Sequence, residues 1–192
     1  MFISNRKKMS SELQKKLDYV SPCRASRSLL AGEILENHSL FFDELVAACF
    51  LTSDKNHHRA CWILEFVCYE ELMWMQPHLD LFCSNLKYLK EESAVRPIAK
   101  VMQLLVKSHY KKEENGIILS EENLQNCIET SFDWLINDVK VATKAYSIRT
   151  LYLLGNHYDW IHPELQIILN KDFSNHSAAY KAVAKEVLKK IE

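Results

Sequence analysis

The sequence predicts an all-α fold: a right-handed α-solenoid of about four antiparallel helix pairs with terminal capping helices. Three observations predict it. First, Trp74-Met75-Gln76-Pro77-His78-Leu79 returns as Trp160-Ile161-His162-Pro163-Glu164-Leu165, and Ser120 stands 43 residues from both Pro77 and Pro163. Pro is favoured at the first helical position and Ser at the N-cap. Each therefore marks a helix start at one point of a recurring unit, whose length is that of a stacked helix pair. Second, apolar residues recur every three or four positions in segment after segment. Third, period-2 alternation nowhere runs for a strand length between turn signals.

Leu13, Leu17 and Val20 give a first helix over residues 10–20, which Pro22 ends. Leu29, Leu30 and Ile34 place a helix over 24–36. Its antiparallel partner, 39–51, carries Phe42, Leu45, Val46, Cys49 and Phe50 on one side. A second pair covers 55–72 and 77–90, a third 93–112 and 120–137. The stretch 111–119, with Asn115-Gly116, is a loop inside that third pair. The fourth pair covers 139–154, with Gly155 in a C-cap position, and 161–171. A last helix, 176–191, sets Tyr180, Val183, Val187 and Ile191 opposite Lys181, Lys185 and Lys189, the polar outer face of a terminal cap. Residues 10–192 read as one domain. Met9-Ser10-Ser11-Glu12 reads as a helix start, which makes Met9 a candidate initiator and sets residues 1–9 apart as a flexible N-terminus.

Composition excludes several functions. The chain has 3 Gly (Gly32, Gly116, Gly155), all isolated, so neither a Walker loop nor a dinucleotide fingerprint is present. Hydrophobic residues make up 48% and charged residues 26%, with net charge −1, the balance of an ordinary globular protein. The longest apolar run is Leu45 to Leu51, far short of the about 20 residues that span a bilayer. Arg6, Lys7 and Lys8 are followed by no apolar stretch, so the start is not a secretory signal. No two of the 6 Cys lie within four residues of each other, which rules out zinc-knuckle spacing. Cys49, Cys61 and Cys127 sit among apolar neighbours, as buried free thiols of a cytoplasmic protein do.

Charged residues leading runs of alanines and aliphatics, as in His58-Arg59-Ala60, Val95-Arg96-Pro97-Ile98-Ala99 and Val139-Lys140-Val141-Ala142, join the 43-residue markers in a pattern. Over about residues 24–190 the chain resembles the HEAT/armadillo-like helical-repeat superfamily, in particular its short bacterial members. The resemblance implies the solenoid fold and macromolecule binding on the concave side, and names no partner. Among HEAT-like proteins are alkylation-repair DNA glycosylases, which use a Trp, an Asp one helical turn later and an Arg near the lesion. Trp134 and Asp138 have that spacing here, followed by Arg149 and Trp160, although Arg149 comes sooner than a whole repeat. Adenylosuccinate lyases need a long helical bundle, a tetramer and a mobile loop with a catalytic Ser, none of which this sequence offers, so a lyase is not expected.

Charge separates the remaining readings. The first helices of each pair and the last helix are net basic, while the second helices are net acidic. In HEAT solenoids the second helices line the concave side, so the resemblance implies an acidic groove, which opposes binding to DNA phosphates. Most of that acidity is one stripe, Glu122, Asn126, Glu129 and Asp133, opposite Leu124, Ile128, Phe132 and Leu135. With Trp134 as an anchor at its edge, the stripe is a candidate docking strip for a basic peptide or protein.

His57, His58, His78, Glu70 and Glu71 are the only concentration of metal-ligand types. The two ends of that helix are some 20 Å apart, so no metal and no cofactor is expected. No nucleophile motif is present. His157-Tyr158-Asp159-Trp160 is an inter-helix turn whose aromatics plug a hydrophobic seam. Trp62, Trp74, Trp134 and Trp160 are read as packing residues, with Trp74 and Trp160 buried in the wedge between pairs. The expected function is a non-enzymatic, cytoplasmic protein-interaction module. The HEAT-like DNA-binding or repair enzyme is the alternative and self-association a third possibility.

Overall fold

The structure, a computed structural model, describes residues 9–111, 116–173 and 176–191; among them are ten α-helices and no strand. These are α1 (Ser11–Asp18), α2 (Arg24–Glu36), α3 (His38–Cys49), α4 (His57–Glu70), α5 (Leu79–Asn85), α6 (Glu92–Lys111), α7 (Glu121–Ile136), α8 (Val141–Gly155), α9 (Ile161–Asp172) and α10 (Ala178–Ile191). A 3₁₀ segment, Leu72–His78, leads into α5, and another, Leu86–Tyr88, follows it. Residues 1–8 of the expected flexible N-terminus, and residues 112–115 of the expected loop, lie outside the described residues. Met9 is buried. No helix among the described residues is long and apolar enough to cross a membrane.

Local chemistry sets the helix starts. The Ser10 hydroxyl accepts from the Leu13 N–H at 3.2 Å to cap α1, and Ser120 caps α7 through the Asn123 N–H at 3.2 Å. The prolines are placed differently from expectation. Pro77 stands inside the 3₁₀ segment ahead of α5, and Pro163 is the third residue of α9. The recurring markers thus fall within a turn of each start, without sharing one capping position. Gly155 is the last residue of α8 and does not have the positive φ of a left-handed cap. Its lack of a Cβ instead makes room for the His162 ring.

Pro97 lies well inside α6. Having no N–H, it leaves the Ser93 carbonyl, four residues back, without its helical donor. The Trp62 indole supplies one: Nε1 donates to Ser93 O at 2.7 Å. A sequence defect in one helix is thereby repaired by the helix beside it.

The chain divides into two compact units, Met1–Ile98 and Ala99–Glu192. In the first, α4 packs against both α2 and α3. The Arg27 guanidinium lies 5.9 Å from the Trp62 ring and 5.1 Å from that of Phe66, while Leu35, two turns on, lines one cavity with Glu70, Glu71 and Trp74. Helices α2 and α4 therefore run in the same direction. The first turns of α6 follow suit, with Ser93 against Trp62 and Arg96 against Glu65. The core here includes Phe42, Leu45, Ile63, Leu64, Met75 and Phe82, all buried.

In the second unit α8 is central, packed against α7, α9 and α10. Helices α8 and α10 also run the same way, with Arg149 paired to Glu186 at 3.1 Å and Lys190 over the Tyr152 ring at 5.4 Å. Buried Ile148, Leu151, Leu165, Tyr180 and Val187 close this core. All six cysteines are free thiols, Cys23 exposed and the other five buried.

Candidate functional site: a groove along helix α2

Ser28, Ala31, Gly32 and Leu35 follow i, i+3, i+4, i+7 and so share one face of α2. Three of them are small, and a Cβ placed on Gly32 would meet nothing within 4 Å. With Phe66 and Glu70 of α4 opposite, this face forms an open trough. It widens to about 400 Å³ at the Trp74 end and about 580 Å³ at the Arg24 end, the two parts sharing Ser28, Phe66 and Glu70.

The trough is electrically polarised. Arg24, Arg27 and Arg96 line one end together with Glu65 and Glu70, and Glu70 and Glu71 line the other with no basic residue. Arg96 is committed to buried Glu65 at 3.0 Å. Arg27 has its guanidinium plane against Phe66, which holds the cation over a ring face. Its Nε is buried without a hydrogen-bond partner, an unmet donor at the trough wall. The chemistry on offer is cation binding to an anionic group, beside an apolar floor.

A second cluster sits at the start of α4. His57 is buried and its Nε2 donates to Glu91 Oε2 at 2.7 Å, while His58 Nδ1 is 3.4 Å from Glu91 Oε1. The Ser93 hydroxyl donates to the same carboxylate. The Cys61 sulfur beside the ring, followed by Glu91, raises the His57 pKa to about 9 against the opposing effect of burial. His57 Nδ1 is buried with no hydrogen-bond partner. His58 is shifted the other way, downward, chiefly by burial. Burial pushes the Cys49 thiol up.

The residues singled out in the sequence fall as follows. Glu122, Glu129 and Asp133 are exposed along α7 and Asn126 is half-buried, so the acidic stripe is an outer face of its helix. Trp134 is only 6% exposed and lies in the core, so it does not anchor a docking strip there. Asp138 is exposed, Arg149 is engaged by Glu186, and Trp160 is 52% exposed with its ring stacked on Phe132 at 5.6 Å. Buried Trp134 does not join these groups in one open surface. Trp160, expected in a buried wedge, is a surface ring resting on one neighbour. Trp74 is half-buried against His38 at 4.0 Å. In the turn after α8, His157 stacks on Tyr110 at 3.8 Å, and the Tyr158 hydroxyl donates to Glu121 at 2.9 Å.

No protein-family model matches this chain, nor does any curated protein or solved structure.

The groove escaped sequence reasoning because its face of α2 is defined by what is missing. Leu29, assigned to the apolar stripe, is 70% exposed, whereas Leu30, Ala31 and Ile34 are buried. Gly32 inside a helix was the available signal, since Gly disfavours helix and tends to mark close approach or open space. Of the expected metal-ligand types, the structure keeps His57 and His58 together and separates them from Glu70, Glu71 and His78. The last pairs with Asp43 at 3.1 Å. Glu91, 34 residues from His57, was the missing partner.

Proposed function

We propose that the protein is a non-enzymatic helical-repeat interaction module whose docking groove is the α2–α4 trough of the first unit. The observation that carries this is the pairing of an open, small-residue helix face with an arginine-lined end. Repeat character is supported in each unit by itself: α2, α4 and the start of α6 run alike, as do α8 and α10, with second helices packed between them. This is the packing expected of a HEAT-like solenoid.

The trough runs along α2 from Arg24 to Leu35, about 16 Å, which suits about five residues of extended peptide. Its polarity selects an occupant with an acidic side chain or terminal carboxylate at the Arg24–Arg27 end and an apolar side chain over Gly32. Arginine suits such a carboxylate because its planar donors can engage both oxygens. The acidic stripe on α7 has no Trp134 beside it on the surface, because that ring is buried.

The test is fluorescence polarisation with short labelled peptides carrying Asp or Glu followed by Leu, against matched Lys-containing peptides. The acidic–apolar peptides bind, and added salt weakens them. Gly32→Phe, whose Cβ would meet nothing within 4 Å, puts a ring into the trough, and Arg27→Glu reverses its charge. Each weakens binding at least tenfold, about 1.4 kcal/mol, with unchanged helicity. Equal affinity for acidic and basic peptides, or binding that both variants leave intact, refutes the assignment.

A further inference from the structure

We propose that His57, His58 and Glu91 form a binding site for a zinc-class divalent ion, separate from the groove. Two imidazoles and one carboxylate are the donor set that borderline ions such as Zn²⁺ and Co²⁺ take, whereas Ca²⁺ and Mg²⁺ prefer oxygen alone. The three ligand atoms all lie within 4.8 Å of one another. A tetrahedral ion with bonds of about 2.0–2.1 Å needs its ligands about 3.3 Å apart, so His57 Nε2 and Glu91 Oε2, now 2.7 Å apart, open slightly around it. His58 Nδ1 lies 3.4 Å from the other oxygen, Oε1, so the carboxylate turns to bring one oxygen to both imidazoles or spans the ion with both.

The surroundings hold these groups in place. His57 is fixed in the core by burial, with Cys61 beside it. The His58 ring meets the Trp62 ring edge to face at 5.0 Å. The Ser93 hydroxyl donates to Glu91 Oε1, a hydrogen bond of the kind that orients metal-bound carboxylates. Its backbone carbonyl is fixed by the Ala94 and Val95 N–H groups. The positive end of the α4 dipole lies under the imidazoles and opposes a cation; the Glu91 charge offsets it. Glu91 has 46% of its side chain exposed and His58 22%, so ion entry and a water ligand come from that side.

Isothermal titration of the metal-free full chain with Zn²⁺ reads the site directly. One ion binds per chain with a micromolar or lower Kd. His58→Ala and Glu91→Gln each weaken it at least tenfold while circular dichroism stays unchanged, and His78→Ala, at the separate pair with Asp43, leaves it unaltered. Co²⁺ gives a second reading independent of stability. Of the four Trp indole N–H signals in an NMR spectrum, that of Trp62 shifts first, and no sulfur-to-cobalt band appears. No Zn²⁺ binding at millimolar concentration overturns the site. Binding that His58→Ala and Glu91→Gln leave unchanged, or a thiolate band, does so too.

Discussion

Replacing Trp62 with Phe isolates the repair of α6. In the native chain the Trp62 Nε1–H reaches Ser93 O at 2.7 Å because Pro97 has no N–H to give. Phenylalanine keeps an aromatic face for Arg27, whose guanidinium lies 5.9 Å from the Trp62 ring, but removes the donor. An orphaned buried carbonyl costs about 1–3 kcal/mol. Trp62 is half-buried, so water reaches part of the vacated site and the lower half of that range applies, about 1–1.5 kcal/mol. For a chain of this length that is a fall in Tm of about 2–6 °C. The decisive assay is a double-mutant cycle by urea denaturation, followed by far-ultraviolet circular dichroism so that the lost indole does not alter the signal. Pro97→Ala restores an N–H to position 97 and lets Ser93 O take its ordinary helical bond. In that background Trp62→Phe loses most of its effect, a coupling of about 1 kcal/mol between the two positions. A coupling inside the about 0.5 kcal/mol expected of independent sites refutes the repair, whatever the cost of Trp62→Phe alone.

Two further predictions concern the second unit. His109 Nδ1 accepts the Leu119 N–H at 3.1 Å, and burial, the largest influence, lowers its pKa below the usual histidine value. The unfolded chain then binds this proton more readily than the folded one, so the stabilisation is fully present above about pH 6.5 and is lost as pH falls below it. Urea midpoints measured from pH 7 to pH 5 decline in the native chain, and His109→Gln flattens the decline; an unchanged slope in the variant refutes the assignment. At Gly155, an added Cβ would overlap the His162 ring, whose Nε2 bonds Tyr152 O at 2.9 Å and whose face stacks on Tyr152 at 5.6 Å. Gly155→Ala therefore destabilises by about 1–2 kcal/mol, strain outweighing the better helix propensity of Ala. In a His162→Ala background the same substitution stabilises by up to about 1 kcal/mol. The same sign in both backgrounds, read from denaturation midpoints, contradicts the steric account.

The helices were legible because the rules that make them are local. Ser10 and Ser120 cap where their side chains reach an N–H three residues on, a distance set by the helix itself. Helix phase was legible too, but needed finer reading. On α7 the buried positions are Asn123, Leu124, Cys127, Ile128, Thr130, Ser131, Trp134 and Leu135, each three or four residues from another in the set. Trp134 belongs to that series by number alone, whereas Phe132 sits at its flank and is half-buried. Assigning Phe132 to the core and Trp134 to the edge exchanged the two. The sites were not legible, because each joins residues from different helices. Glu91 meets His57 across a turn and a helix, and the trough depends on which face of α2 lies beside Phe66. Neither offset follows from local sequence.

The Trp echo shows what a repeat marker records. Trp74 precedes α5 and meets Phe42 of α3 at 5.4 Å; Trp160 precedes α9 and meets Phe132 of α7 at 5.6 Å. In the first unit, then, the Trp ahead of α5 packs on a Phe of α3, and in the second the Trp ahead of α9 packs on a Phe of α7. The two contacts differ in geometry, edge-to-face for Trp74 and stacked for Trp160, and in burial, because His38 also covers Trp74 at 4.0 Å and no such ring covers Trp160 among the described residues. Sequence periodicity preserves the type of residue that a side chain meets, and not the geometry of the contact. How deep that side chain lies depends on the neighbouring residues, which the period leaves free. A motif that recurs along the chain therefore gives no sign by itself of a binding surface or of chemistry.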